Sequence, residues 1–122
     1  MILKNLTLKN FRNFKNVTID FPDGVTGVVG LNGAGKSTIF EAIAWVLYGP
    51  VAARTSADQI KRQEALPSEP CRVELEFVFE DKNYRIVREM KGKHLTISAT
   101  ATVNGKIAAT SAESVTTFIQ RS

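Results

Sequence analysis

Hydrophobic and polar positions alternate with a period of two through most of this chain and follow a helical period in only two places. Leu3, Leu6 and Leu8 mark a first strand and Val17-Thr18-Ile19-Asp20-Phe21 a second, with Phe11-Arg12-Asn13-Phe14 joining them as a hairpin. Pro22-Asp23-Gly24 makes a tight turn into Val25-Thr26-Gly27-Val28-Val29, a short apolar, β-branched run fit for a buried strand. From Lys36 to Tyr48 the spacing changes. Ile39, Phe40, Ile43, Val46 and Leu47 follow a helical period, and Ala42, Ala44 and Trp45 widen the stripe, so this helix should be covered on more than one side, with Trp45 in the core. Gly49-Pro50 ends it.

Val51 to Pro70 has no sustained period; it carries Arg54, Lys61 and Arg62, and Ser56-x-x-Gln59 predicts a cap for one short helical turn. Beyond it Val73, Leu75, Phe77 and Phe79 alternate with Glu74, Glu76 and Glu80, which predicts a strand with one wet face. A polar turn, Asp81-Lys82-Asn83, precedes the strand Tyr84-Arg85-Ile86-Val87-Arg88. Leu95, Ile97, Ala99, Ala101 and Val103 alternate with threonines and Ser98, and Asn104-Gly105 signals a hairpin into Lys106-Ile107-Ala108. Thr110-x-x-Glu113 reads as a capping box for a last helix through Val115, Phe118 and Ile119. The expected architecture is a single α/β domain over residues 1–122, with a strand and helix in 25–50 and an antiparallel β-meander in 72–109.

The chemistry concentrates where the period changes. Gly30-Leu31-Asn32-Gly33-Ala34-Gly35-Lys36-Ser37-Thr38 fits G-x-x-x-x-G-K-[ST], between a predicted strand and a predicted helix, and reads as a phosphate-binding P-loop for ATP. Its glycines let successive N–H groups turn inward as an anion cradle, and the helix opening at Lys36 adds its positive dipole end. The Lys36 ammonium is the candidate catalytic group, within reach of the β- and γ-phosphates, and the Ser37 hydroxyl is the candidate Mg²⁺ ligand.

Charge and cysteine content bound the rest. Sixteen lysines and arginines against 12 acids give a net charge of +4, which permits a polyanionic partner without demanding one. Cys71 stands alone, so no intrachain disulfide or multi-cysteine metal site forms, and its reading is a small packed residue in a reducing compartment. The apolar run Ala42 to Ala53 is too short to cross a bilayer, and Lys4 and Asn5 interrupt any signal-peptide core; a soluble intracellular protein, cytoplasmic or nucleoid-associated, is expected, with no membrane partner. His94 lacks a metal-spaced partner and reads as a surface residue. Phe77-Val78-Phe79-Glu80-Asp81 superficially resembles a Walker B strand, but the glutamates alternating just upstream do not suit a strand buried on both faces.

The order strand, N-F-R-N-F, strand, G-x-N-G-A-G-K-S-T, then F-E-A-I-x-x-x-L-Y-G-P closely resembles the N-terminal ATPase lobe of the SMC-like ABC ATPases, nearest to the Rad-fifty/SbcC double-strand-break repair ATPases. F-x-F-E-D-K-N-Y-R-I-V-R, Phe77 to Arg88, resembles the family's antiparallel sheet. The resemblance implies a P-loop NTPase fold of the ABC-type lobe, with an N-terminal hairpin, a β-meander and two main helices. It implies nucleotide contacts from Arg12, Asn13, Asn32, Gly33, Ala34, Gly35, Lys36, Ser37 and Thr38, with ATP and Mg²⁺ as cofactors and Mg²⁺ on Ser37. Arg54 lies in a region resembling the family's arginine-bearing, DNA-responsive loop. Gln120 lies in the last predicted helix and does not match the family's Q-loop glutamine, which is expected in a later strand. In that family a C-terminal lobe carries the signature motif and Walker B, two heads sandwich two ATP molecules, and the assembly handles DNA without sequence preference beside a partner nuclease. This chain alone is therefore expected to bind ATP without turning it over.

Two other classes compete. A small P-loop kinase would alternate strands with helices after the P-loop, which the meander disfavours. A non-catalytic DNA-binding module would draw on Lys61, Arg62, Arg85, Arg88, Lys91 and Lys93, a set not interleaved with stacking aromatics, so its binding would be electrostatic and salt-dependent.

Overall fold

The period-two stretches pair into one antiparallel sheet. The structure, a computed structural model, describes residues 2–12, 14–21, 33–49, 60–61, 65–66, 68–93 and 95–121. Six strands, β1 (Ile2–Phe11), β2 (Phe14–Asp20), β3 (Cys71–Phe79), β4 (Lys82–Lys91), β5 (Thr96–Val103) and β6 (Lys106–Ala109), lie in the order β2-β1-β3-β4-β5-β6. The predicted hairpin forms, with Leu6 opposite Ile19 and Leu8 opposite Val17. Continued across the sheet, this register lines up Ile19, Leu6, Leu75, Ile86 and Ala101 in one row and Val17, Leu8, Val73, Arg88 and Ala99 in the next. A register shift between Leu3 and Asn5 in β1 keeps Leu3, opposite Phe77, on this same buried face.

Two helices cover that face: α1 (Gly33–Tyr48) and α2 (Ala112–Arg121). Ile39, Ala42, Trp45 and Val46 of α1 are buried against the core-facing residues of β1, β3 and β4, and Val115 is buried where α2 meets α1, β5 and β6. Phe11 meets Trp45 at a ring separation of 5.9 Å, and Tyr84 stacks on Phe77 at 5.0 Å and touches Phe118 at 6.1 Å. Trp45 is core, as its spacing predicts, although its indole N–H finds no acceptor among the described residues. Cys71 is fully buried, and burial pushes its thiol up to about 12 against a small opposing effect of Lys61, so it behaves as an inert packing residue.

Four features differ from the sequence expectation. First, α1 begins at Gly33 rather than Lys36, because the last glycines of the P-loop already have helical geometry. Second, the turn between β3 and β4 is Glu80-Asp81, both at positive φ (52° and 64°), the geometry of a two-residue hairpin whose twist matches its strands, and this leaves Lys82 and Asn83 free to pair within β4. Third, the capping box of α2 is Ser111 with Ser114: Ser114 N–H donates to Ser111 Oγ at 3.2 Å and Ser111 N–H donates to Ser114 Oγ at 3.1 Å. Thr110 lies one residue too early because the helix starts at Ala112. Fourth, α1 is covered mainly on its sheet side; Phe40 and Tyr48 are exposed, with Ala44 half-buried between them on the same stripe. By contrast, Asn104-Gly105 forms its predicted turn, with φ of 50° and 82° joining Val103 to Lys106. The predicted strand 25–29 and the Ser56-x-x-Gln59 turn lie outside the described residues.

Candidate functional site: the two ends of the P-loop helix

The P-loop pattern ends inside the first turns of α1, so the orphan N–H groups of that helix belong to Gly33, Ala34, Gly35 and Lys36. No residue of that turn is acidic, so the helix's own first turn does not neutralise the positive end of its dipole. The structure places the backbone of Gly33 through Thr38 here in one continuous helix, with Thr38 half-buried. The side chains of Lys36 and Ser37, all of Asn13 and Asn32, and Arg54 and His94 lie outside the described residues.

Arg12 is brought to the middle of the same helix. It sits in the β1–β2 connection at φ 55°, and its N–H donates to the Ile60 carbonyl at 2.6 Å, beside a bridge between Phe11 and Lys61. From there its Nε and Nη2 donate to the two carboxylate oxygens of Glu41 at 2.7 and 2.8 Å, a two-pronged pair with geometry only arginine offers. The Glu41 hydrogen bond raises the Arg12 guanidinium above its already high ordinary value, against an opposing effect of burial. Glu41 follows Ser37 by four residues and Thr38 by three, so this ion pair lies over the helical turn that completes the P-loop. Sequence reasoning singled out Arg12 and missed Glu41, whose position in the F-E-A-I run one turn past the P-loop was the available signal.

At the opposite end stands Arg88. It belongs to an apolar row of the sheet and is 1% exposed. Its Nε donates to the Val46 carbonyl at 3.2 Å, and its Nη2 donates to the Leu47 carbonyl at 3.4 Å and to Thr116 Oγ1 at 3.1 Å. Thr116 Oγ1 in turn donates to the Tyr48 carbonyl at 3.5 Å. Burial pushes the Arg88 guanidinium down to about 10, which leaves it charged at neutral pH. Helix α1 has no basic residue in its own last turn, and Arg88 supplies that charge from β4.

Among the described residues, several of the cations that a DNA-binding module would use are committed to other partners. Lys61 is buried and donates to the Leu66 carbonyl at 3.0 Å, and Arg88 is committed to the helix end. On the open face of the sheet Arg72 binds Glu74 and Glu89, Arg85 binds Glu74 at 3.0 Å and reaches Glu76 at 3.8 Å, and Asn5 donates to Glu76. Lys91 and Lys93 are exposed, and Arg62 is outside the described residues. The DNA-module reading thus loses Lys61 and Arg88 to the interior and Arg85 to its carboxylate partners. In the Walker B look-alike, Phe77–Phe79 ends β3, an interior antiparallel strand flanked by β1 and β4, and Glu80-Asp81 forms the turn that follows.

The chain is similar to known proteins along nearly its whole length. The sequence profile of the AAA domain matches residues 5–121. The DNA double-strand break repair Rad50 ATPase of Methanococcus maripaludis is 35% identical over 120 residues, 98% of this chain and 12% of that protein. The Rad50 ATPase of Thermoplasma volcanium is 33% identical over 99% of this chain and 13% of that protein, so the chain spans about an eighth of these relatives. The chromosome partition protein Smc of Mycolicibacterium paratuberculosis is 50% identical over 56 residues, 45% of this chain and 5% of that protein. A solved structure of the recombination mediator protein RecF, the RecF-ATPrS form, shares the fold with a TM-score of 0.66 at 24% identity, over 93% of this chain and 29% of that chain. No helix among the described residues is long and apolar enough to cross a membrane. Across residues 5–121, therefore, the chain belongs to the AAA domain family and, within it, to the N-terminal ATPase lobes of the SMC-like ATPases.

Proposed function

We propose that residues 1–122 form the ATP-binding, Walker A half of an ATPase head of the Rad50/SbcC kind, acting in DNA double-strand break repair or chromosome maintenance. The observation that carries this reading is the P-loop pattern running into the first turn of α1, where four amides and an uncompensated dipole end meet the chemistry of a triphosphate. The residue set suits Mg²⁺-ATP: backbone amides of 33–36 for phosphate oxygens, Lys36 for the β- and γ-phosphates, and the Ser37 hydroxyl for the metal. Bound Mg²⁺ would neutralise charge on the transferring phosphoryl group. Asn13, Asn32 and Thr38 complete the proposed contacts, and Arg12, paired with Glu41 on the same helix, would add a positive charge.

Hydrolysis needs groups beyond these, chiefly an acid for the metal and a residue that orients water. A C-terminal lobe carrying signature and Walker B motifs is the proposed source. The Phe40–Ala44–Tyr48 stripe supports it, since a helix apolar around most of its circumference calls for a second covering surface. ATP-dependent pairing of two such heads, sequence-independent DNA handling, a nuclease partner and an intracellular, cytoplasmic or nucleoid location follow from the Rad50 and Smc likeness. The test is calorimetric titration with Mg²⁺-ATP: the native protein binds, and Lys36→Ala weakens binding by tenfold or more at unchanged fold, about 1.4 kcal/mol or above. Equal affinity in the two proteins refutes the P-loop assignment.

A further inference from the structure

We infer that Arg88 is a positioning residue for nucleotide binding, acting from the far end of α1 by fixing where the phosphate-binding end of that helix points. The inference rests on the ATP-binding reading above and adds to it a residue outside the P-loop. Its basis is an anomaly in the sheet: in a row otherwise made of Val17, Leu8, Val73 and Ala99, a guanidinium occupies the core-facing position. Burying that charge is costly, so its partners indicate its task. They include the carbonyls of Val46 and Leu47 and the hydroxyl of Thr116, which itself reaches the Tyr48 carbonyl. Three successive orphan acceptors at the end of α1 are thus gathered by one strand residue and one α2 residue.

Apolar packing alone resists separation of α1 from the sheet but opposes sliding and tilting only weakly, because one methyl contact exchanges for another. Directional bonds to the last carbonyls resist both motions. Helix α1 has 16 residues and is about 24 Å long, so a tilt of about 3° at the Arg88 end moves the amides at Gly33 by about 1 Å. A displacement of that size is enough to degrade a phosphate cradle or a transition-state contact. The Arg12–Glu41 pair pins the helix at its middle, so the rod is held at two points, one on each side of Trp45. Thr116 makes the rear point a three-way junction of β4, α1 and α2, which routes any displacement of α2 to the P-loop.

The test uses the intact protein that carries this region, with Arg88→Lys, Arg88→Met and Thr116→Val, and with native protein and Lys36→Ala alongside. Mg²⁺-ATP affinity is measured by calorimetry and expressed per folded molecule, the folded fraction coming from near-ultraviolet circular dichroism; KM and kcat for ATP are measured separately. Arg88→Lys and Thr116→Val are expected to weaken ATP binding about three- to tenfold and to raise KM, with Arg88→Met weaker still and the lysine recovering part of the loss. Should Arg88→Met fail to fold, the lysine and valine variants decide the matter. If those two bind ATP as the native protein does, even with lowered melting temperatures, Arg88 serves stability alone and the inference is overturned. If the native protein binds no ATP, both readings fall; if Lys36→Ala loses binding while Arg88→Lys and Thr116→Val keep it, only this one does.

Discussion

Glu41 accepts two hydrogen bonds from Arg12, at 2.7 and 2.8 Å, across 29 residues of sequence, and so ties the β1–β2 connection to the third turn of the P-loop helix. Charge-assisted, two-pronged and partly shielded pairs of this kind carry more energy than ordinary surface ion pairs. In a double-mutant cycle of Arg12→Met and Glu41→Gln, urea denaturation should give a coupling of about 1–2 kcal/mol. A coupling near zero would show that the pair does not help hold the helix.

Gly49 stands just beyond α1 at φ +77°, where a side chain is strained, and a Cβ there would lie 3.1 Å from Nη1 of Arg88. Gly49→Ala therefore faces two penalties, the left-handed backbone and a displaced guanidinium. The expected loss is about 2 kcal/mol or more, read as a lower urea midpoint with unchanged slope. Stability equal to the native protein would mean that the chain leaves the helix differently.

Glu74 gives the open face of the sheet a defined response to acid. Burial pushes its carboxyl up, but hydrogen bonds from Arg72 and Arg85 together with their charges outweigh this and hold it below the ordinary value of 4.5. A carboxyl depressed in the folded state adds stability above its unfolded value and loses it as pH falls through the folded one. Native protein should thus lose stability on acidification below about 4.5 more steeply than Glu74→Gln, the gap at neutral pH being about 1 kcal/mol or less for so exposed a network. Parallel stability curves for the two proteins would rule out this contribution.

The parts of the fold visible in the sequence are those set by near neighbours. The alternation at Val73, Leu75 and Phe77 and the Asn104-Gly105 turn both appear as expected, and β1 and β2 pair as their patterns require. Where two adjacent residues offer the same chemistry, the reading slips by one: Thr110 and Ser111 both carry hydroxyls, and only the position of Ala112 decides which of them caps. Features that depend on distant segments meeting were hidden, as with Glu41 receiving Arg12 or Phe11 bridging to Lys61. Arg88 lies between these cases. Its place in the series Tyr84, Ile86, Arg88, Met90 puts it on the core face by simple alternation, but the charge drew the reading toward solvent.

Trp45 is the sole tryptophan in these 122 residues, and it lies on α1 one turn past Glu41 and four residues before Gly49. Its indole is sealed from water, with its N–H unmatched among the described residues, so its fluorescence starts from a dry, weakly polar environment. Any rotation of the helix that let a water or a carbonyl reach that nitrogen would shift the emission. The same side chain that fills the core is thus a built-in optical gauge of the rod between its two anchors, readable without a label.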